Sequence, residues 1–526
     1  MDGIALALLA NRANALCEEM GIVLRRTALS PNIKDRLDYS CALFDAAGEL
    51  FAQAAHIPVH LGSMAYALKD VVAQFPWAPG DVVVFNDPFL GGTHLPDVTV
   101  VVPAFLEAQC LGFAVTRAHH AHIGAGAPGS MPLSRSLAEE GLCLPPTYLL
   151  RQGVMPKATL AALAPLCRGE APTEATWRTA SGLEDFAAQL ASAQAGARGL
   201  VGLARQQGGP EALATGVTAL HDYGERLARS ALAALPEGRY EAEDVLDSDG
   251  FSDVPVPLKL ALTLKGGEAE LDFTGSAAMV VGNLNCPEAV TAAAVFYAFR
   301  CLMPPQTPAT AGVFRPLGLK IPKPSLLAAE APAAVAAGNV ETSMRVVDVV
   351  LRALAEAAPE RIPAASQGTM NNLALGAGGA APWDYYETLA GGQGASAQGP
   401  GADAQHSHMT NTLNTPIESL EAYYPLRVLV YAVRRGSGGA GAHRGGAGVL
   451  RRYAFLAPAT LTLLTERRTQ APWGLAGGEG GALGRNRLND DVLPGKVTLP
   501  VDVGDVLTIE TPGGGGYGEG VPAPRP

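Results

Sequence analysis

Six of the ten histidines fall between positions 56 and 122: His56, His60, His94, His119, His120 and His122. Imidazole is a common transition-metal ligand and titrates near neutrality, so such crowding points to metal binding or proton transfer. Within it, His94-Leu-Pro-Asp97 sets an imidazole and a carboxylate close together, behind a Gly91-Gly92 pair that lets backbone approach closely. The apolar, β-branched runs Val98 to Phe105 and Leu111 to Thr116 read as strands. If they pair antiparallel about a turn near Ala108, residues whose numbers sum to about 216 face each other. Asp97 and His119 meet that sum, so His94, Asp97 and His119 converge at one end of a hairpin. This mixed N/O set suits zinc, manganese or iron, and three protein ligands leave a position to water, as a catalytic site requires. A slip of one residue in register would turn one side chain to the other face. Taken singly, His56, His60, His120 and His122 read as hydrogen-bonded structural residues or as groups that orient the ligands.

The elements that must position this cluster begin with an amphipathic helix from Ile4 to about Leu29, ended by Ser30-Pro31. Short strands Ser40 to Phe44 and Leu50 to Ala54 flank the turn Asp45-Ala-Ala-Gly48, and Leu61 to Gln74 reads as a helix. Asp81 to Phe85 is a further strand. The Ala-rich span from Pro156 to about Leu235 is mostly helical, and Tyr240 to about Thr274 is strand-rich. Helices follow at Glu288 to Leu302 and Val346 to Ala358. Between Gly376 and Gly401 the chain turns Gly- and Ala-rich around Trp383, Tyr385, Tyr386 and Glu387, as a flexible linker or as a functional or tightly packed loop. Leu426 to Leu464 and Lys496 to Glu510 alternate like strands. The expected fold class is α+β, with mixed, largely antiparallel sheets and packed helices. It divides into a metal-site region (1–155), a helical segment (156–235), an α/β middle region (236–375) and a Gly-rich, strand-rich C-terminal region (376–526).

Composition excludes several classes. Charged residues are 17% and apolar ones 48% of 526 residues, so the chain buries a large core and is not disordered. A net charge of −12 with no basic stripe excludes a nucleic-acid binder. Seven scattered cysteines with no Cys-x-x-Cys support neither a disulfide framework nor a zinc ribbon. Asp2 stands where a secretory signal needs basic residues, and no run reaches the ~20 apolar residues of a bilayer span, so the expected location is the cytoplasm. The chain contains no phosphate-binding Gly-x-x-x-x-Gly-Lys-Ser/Thr loop, no dinucleotide fingerprint and no Gly-x-Ser-x-Gly elbow.

Asn86-Asp-Pro-Phe-Leu-Gly-Gly-Thr-His-Leu-Pro-Asp97, then Ala118-His-His-Ala-His-Ile-Gly124 and Pro128-Gly-Ser-Met131, closely resembles the hydantoinase B/oxoprolinase family. Further matching blocks span the chain, among them Ile33-Lys-Asp-Arg-Leu-Asp-Tyr-Ser40, His56-Ile-Pro-Val-His-Leu-Gly-Ser-Met64, Gly338-Asn-Val-Glu-Thr-Ser343, His408-Met-Thr-Asn-Thr412 and Thr511-Pro-Gly-Gly-Gly-Gly-Tyr517. The resemblance implies a metal held by His94, Asp97 and His119, with the carboxylate of Asp38 as a fourth ligand. Asp87, His56, His60, His120 and His122 would support the ligands or touch substrate. It also implies a hydantoinase A-like ATPase partner in a hetero-oligomer, which uses ATP to activate a small cyclic amide. Where the family usually carries Asp, this chain has His122, followed by Gly124-Ala125.

The resulting expectation is the metal-carrying subunit of an ATP-dependent hydrolase that opens hydantoin, 5-oxoproline or lactam rings. Glu139 and Glu140 are candidates for proton transfer, or else sit at a solvent-facing helix end. Two rival expectations are a subunit of an ATP-dependent ketone carboxylase and a scaffold that binds the ATPase without contributing a catalytic group.

Overall fold

The computed structural model describes residues 3–379 and 382–520; Asp2, and Ala380 and Ala381 of the Gly- and Ala-rich stretch, lie outside the described residues. A six-stranded sheet frames the histidine cluster. Its strands are β1 (Tyr39–Asp45), β2 (Leu50–Gln53), β3 (Val82–Phe85), β4 (Asp97–Leu106), β5 (Gln109–His119) and β6 (Thr147–Leu150), and they lie in the order β2-β1-β5-β4-β3-β6. Both faces are covered, which is why β3 and β4 read as nearly unbroken apolar runs. Val82, Val84, Val98, Val100 and Val102 pack on one side with the long helices α1 (Gly3–Thr27) and α3 (Glu184–Gln207). Val83, Phe85, Val101, Phe113 and Val115 pack on the other, against α2 (Pro58–Val72). This period-two alternation decides which histidines can share a site.

The expected hairpin has the expected register. Asp97 pairs with His119 and Val101 with Val115, and a bulge between Ala104 and Phe105 confines the irregularity to the far tip.

The remaining long helices are α4 (Pro210–Ala233), α5 (Glu288–Arg300) and α6 (Ser343–Ala357). From 156 to 235 the chain is less continuously helical than its composition suggests, with irregular turns between Cys167 and Leu183 before α3. α3 and α4 share the hydrophobic core of the first sheet and α1. A second sheet is built from β7 (Gly238–Leu246), β8 (Val256–Lys265), β9 (Glu268–Asp272) and β10 (Leu317–Lys320), in the order β10-β9-β8-β7. Its β9–β10 pair is parallel, whereas every other strand pair among the described residues is antiparallel. Gly62 of α2 lies so close to α5 that a β-carbon there would sit 2.6 Å from the Cα of Ala293. The two central helices are thereby locked together between the sheets.

Two further antiparallel sheets close the C-terminal part. Their strands are β11 (Asn372–Ala377), β12 (Trp383–Thr388), β13 (Leu426–Arg434), β14 (Gly448–Phe455), β15 (Ala459–Leu464), β16 (Arg485–Leu488), β17 (Asp491–Leu493), β18 (Lys496–Val501) and β19 (Val506–Glu510). They are arranged as β12-β11-β15-β18 and β13-β14-β19-β16-β17. Leu375, Tyr385 and Leu461 of the first meet Tyr453, Leu507 and Ile509 of the second in one core. The Gly- and Ala-rich stretch is therefore not a linker. Trp383 to Thr388 form a strand, and the glycines beyond pack backbone against backbone: Gly446 N–H donates to Gln393 O and Gly514 N–H to Gly446 O. A β-carbon on Gly392 or Gly514 would collide with a neighbouring carbonyl, so only glycine allows these segments to touch. The C-terminal Gly513 to Gly516 run belongs to the same packed layer.

No helix among the described residues is long and apolar enough to cross a membrane. All seven cysteines are free, three of them buried, three half-buried and Cys301 exposed.

Candidate metal centre

At the open end of the β4–β5 hairpin, Asp97 and His119 point to the α2 side of the sheet, on the face that carries Val101 and Val115. His94 reaches them from the turn before β4. Asp97 Oδ1 lies 3.1 Å from His94 Nε2 and 3.2 Å from His119 Nδ1. All three side chains are buried. Neither Asp97 Oδ1 nor His94 Nε2 makes an aligned hydrogen bond, although an unpaired buried polar atom ordinarily costs ~1–3 kcal/mol. Each of the three residues offers one ligand atom, and these atoms lie within 4.8 Å of one another.

The surroundings fix this arrangement. His94 Nδ1 lies 3.2 Å from the carbonyl of Ala336, which assigns it the proton and leaves Nε2 as the free donor atom. The other carboxylate oxygen, Asp97 Oδ2, accepts from Thr93 Oγ1 at 2.6 Å and Asn339 Nδ2 at 3.2 Å, with His60 Nε2 at 3.2 Å. One oxygen is anchored and the other is left for the cluster. Burial pushes the Asp97 carboxyl up, but His94 and His60 outweigh it and hold the group well below the usual carboxylate range. The His119 ring stacks on Tyr386 at 4.8 Å between centroids, and Tyr386 OH donates to Asn372 Oδ1 at 2.7 Å.

Asp38, His60, His94, Asp97, His119 and Asn339 line one narrow cavity of about 20 Å³, closed by Val340, Met370, Tyr386 and Met409. That volume holds an ion or a water molecule. Asp38 Oδ1 lies 3.9 Å from His60 Nε2, and its Oδ2 lies 3.6 Å from Arg36. It lines the same cavity, its carbonyl accepting from the His119 amide, without joining the tight group of three.

The structure separates the other sequence candidates from the cavity. His120, one residue beyond the strand, turns to the α3 side, where its Nε2 is 2.8 Å from Gln189 Oε1 and its ring meets Phe186. His122 lies near the surface, 3.9 Å from Asp384, in a cleft that also includes Arg168. His122 therefore stands apart from the cavity that holds His94, Asp97 and His119. His56 accepts from the Cys41 amide and packs on Tyr39. Asp87 caps a short turn by accepting from Phe89 N. Glu139 is exposed and bonded to Ser136 Oγ, so it is a surface cap and not a proton donor to the cavity. Glu140 is buried but does not line the cavity. Its Oε1 accepts from Ser134 Oγ and from the amides of Val335 and Ala336, and so holds the carbonyl that fixes His94. Burial pushes this carboxyl up to about 7.

Several contributors carried no chemical signal in the sequence. Asn339 and Tyr386 come from the middle and C-terminal regions, far from the histidine cluster. Buried Arg117 ties the hairpin to α2 and the glycine turn, donating to Thr99 Oγ1, Ser63 Oγ and Gly91 O.

The family model described as hydantoinase B/oxoprolinase matches residues 2–520. The chain belongs to the hydantoinase B/oxoprolinase family. Among its relatives, 5-oxoprolinase 1 of Arabidopsis thaliana is 38% identical over 546 residues, covering 99% of this chain but 42% of that protein. The chain thus spans about two-fifths of that 5-oxoprolinase. The B-type subunit of a putative D-/L-hydantoinase from a Pseudomonas species is 29% identical over 547 residues, covering 98% of this chain and 90% of the relative. The crystal structure of an ATP-dependent caprolactamase from Pseudomonas jessenii superposes with a TM-score of 0.89 at 26% identity, covering 99% of this chain and 91% of that one. The α+β fold with several antiparallel sheets is shared with this family member.

Proposed function

We propose that this chain is the metal-carrying subunit of an ATP-dependent cyclic-amide hydrolase, acting in the cytoplasm with a separate hydantoinase A-like ATPase subunit. The observation that carries the proposal is the buried convergence of His94 Nε2, Asp97 Oδ1 and His119 on one point, with hydrogen-bonding capacity left unused. This set fits a divalent ion of the zinc, manganese or iron kind, with Asp38 of the same cavity as a fourth ligand. When bound, such an ion would supply Lewis acidity and lower the pKa of water.

An amide carbonyl is a poor electrophile. Phosphorylation of its oxygen by ATP on the partner supplies an activated carbon. Water then adds to that carbon, the C–N bond opens with the nitrogen taking a proton, and a second water releases phosphate from the acyl phosphate. His60, on the cavity wall between Asp38 and Asp97, is the residue placed to hold and pass the proton. Asn339 and Thr93 keep Asp97 oriented, and Met409 and Val340 exclude bulk water. The seven unpaired cysteines suit a reducing compartment.

The test is reconstitution with the ATPase subunit that co-purifies from native cells. The proposal expects ATP consumption that depends on 5-oxoproline, a hydantoin or a lactam and is absent with acetone plus bicarbonate. It also expects no ATP hydrolysis by this chain alone. ATP turnover with the ketone would favour the carboxylase reading, and full turnover by an Asp97→Asn variant would favour a scaffold.

A further inference from the structure

A second group of metal-ligand residues lies where the turn between β1 and β2 meets α4, outside the cavity described above. Asp45 and Glu49 bracket that turn, and His221 projects from α4 toward them. His221 is 2% exposed, yet neither of its ring nitrogens has a hydrogen-bond partner. Its Nε2 lies 3.6 Å from Asp45 Oδ2 and 4.0 Å from Glu49 Oε2. Two ligands at ~2.1 Å from one tetrahedral ion stand ~3.4 Å apart, so a small closure of the turn completes the geometry.

The turn prepares one of these ligands. Asp45 Oδ1 accepts from the amides of Ala47 and Glu49, each at 2.9 Å, which fixes the carboxylate and leaves Oδ2 facing the imidazole. The two carboxylate side chains are 24% and 30% exposed, so an ion has a route in and water can complete its coordination. Glu49 also meets Arg315 at 3.4 Å, and Arg315 is shared with Asp222 and Glu225. Three carboxylates therefore meet this arginine, and with Asp45 beside them the corner retains negative charge to attract a cation. An imidazole with two carboxylates selects a borderline transition ion over calcium or magnesium, which take oxygen ligands.

We propose that Asp45, Glu49 and His221 form a second divalent transition-metal site, of the zinc class, that clamps the β1–β2 turn to α4. The test uses the full-length chain, stripped with chelator and dialysed against zinc chloride, with zinc per chain measured by atomic emission. Wild type is expected to retain one more zinc than His221→Gln. Asp45→Asn keeps the Oδ1 acceptor that builds the turn and is expected to lose the same zinc, which guards against misfolding of the histidine variant. In a His94→Gln/Asp97→Asn background, zinc should still raise the melting temperature, and adding His221→Gln should abolish that rise. A wild type that binds a single zinc, lost with His221→Gln, would support this site and count against the cavity. Unchanged zinc content in both His221→Gln and Asp45→Asn would overturn the proposal and leave His221 as an ion-paired histidine.

Discussion

The two clusters of imidazole and carboxylate differ in how they are built, and the difference explains what each can do. His94, Asp97 and His119 belong to one hairpin and its leading turn, and all three are sealed from solvent. Asp45 and Glu49 share a turn at the surface, whereas His221 arrives from a helix beyond the whole first sheet. A sealed set whose outer oxygen is anchored by Thr93 and Asn339 is preorganised around one geometry. A set on a solvent-facing turn can open and close, and exchanges what it holds. The first arrangement suits chemistry on a substrate and the second suits a clamp.

The sharpest way to break that comparison is to remove a ligand from the sealed cluster. Asp97→Asn should abolish reconstituted turnover and metal retention, by more than the ~10–100-fold that loss of an outer partner costs. Asn339→Ala removes only one of the donors to Asp97 Oδ2. It should weaken metal affinity by that smaller ~10–100-fold, measured by competition with a chromophoric chelator. Equal effects of the two substitutions would contradict the distinction between ligand and support.

A third prediction concerns the turn of helix that carries Asn339. Glu341 is fully buried, bonded to Asn372 and Met370 N, and burial pushes its carboxyl from the ordinary 4.5 up to about 8. The folded chain therefore keeps on Glu341 a proton that the unfolded chain has lost between those values, so the contribution of Glu341 to stability falls as pH rises through that window. Denaturant melts at pH ~5 and ~8 should show a smaller loss in Glu341→Gln than in wild type. Parallel losses in the two proteins would refute a raised Glu341. The smallest effect is expected at the exposed cluster, where His221→Gln should lower the zinc-dependent part of the melting temperature and leave the zinc-free value close to that of wild type.

What the sequence disclosed follows the same division. The β4–β5 register was legible because both strands are long, apolar and joined by a short turn, so counting alone brought Asp97 opposite His119. By resemblance His120 groups with the residues that support the ligands, whereas the structure turns it to the other side of the sheet, against Gln189, as side-chain alternation requires. Glu139 and Glu140 looked alike as neighbours, and only the fold separated a surface cap from a buried anchor of the Val335–Ala336 amides. Asn339, Tyr386 and His221 are brought in by contacts between distant segments, which no local pattern encodes. The Gly- and Ala-rich stretch illustrates the same limit: composition allowed a linker or a functional or packed loop, and the carbonyls facing Gly392 and Gly514 decided for packing, with Tyr386 lining the cavity.

The central claim is that His94, Asp97 and His119 hold a divalent ion. It is tested most directly by the metal content of the purified chain, measured side by side for wild type, His94→Ala and Asp97→Asn after identical dialysis. The account predicts that each variant carries one fewer equivalent of zinc, manganese or iron than wild type. Equal metal in all three proteins, or none in any, would contradict it.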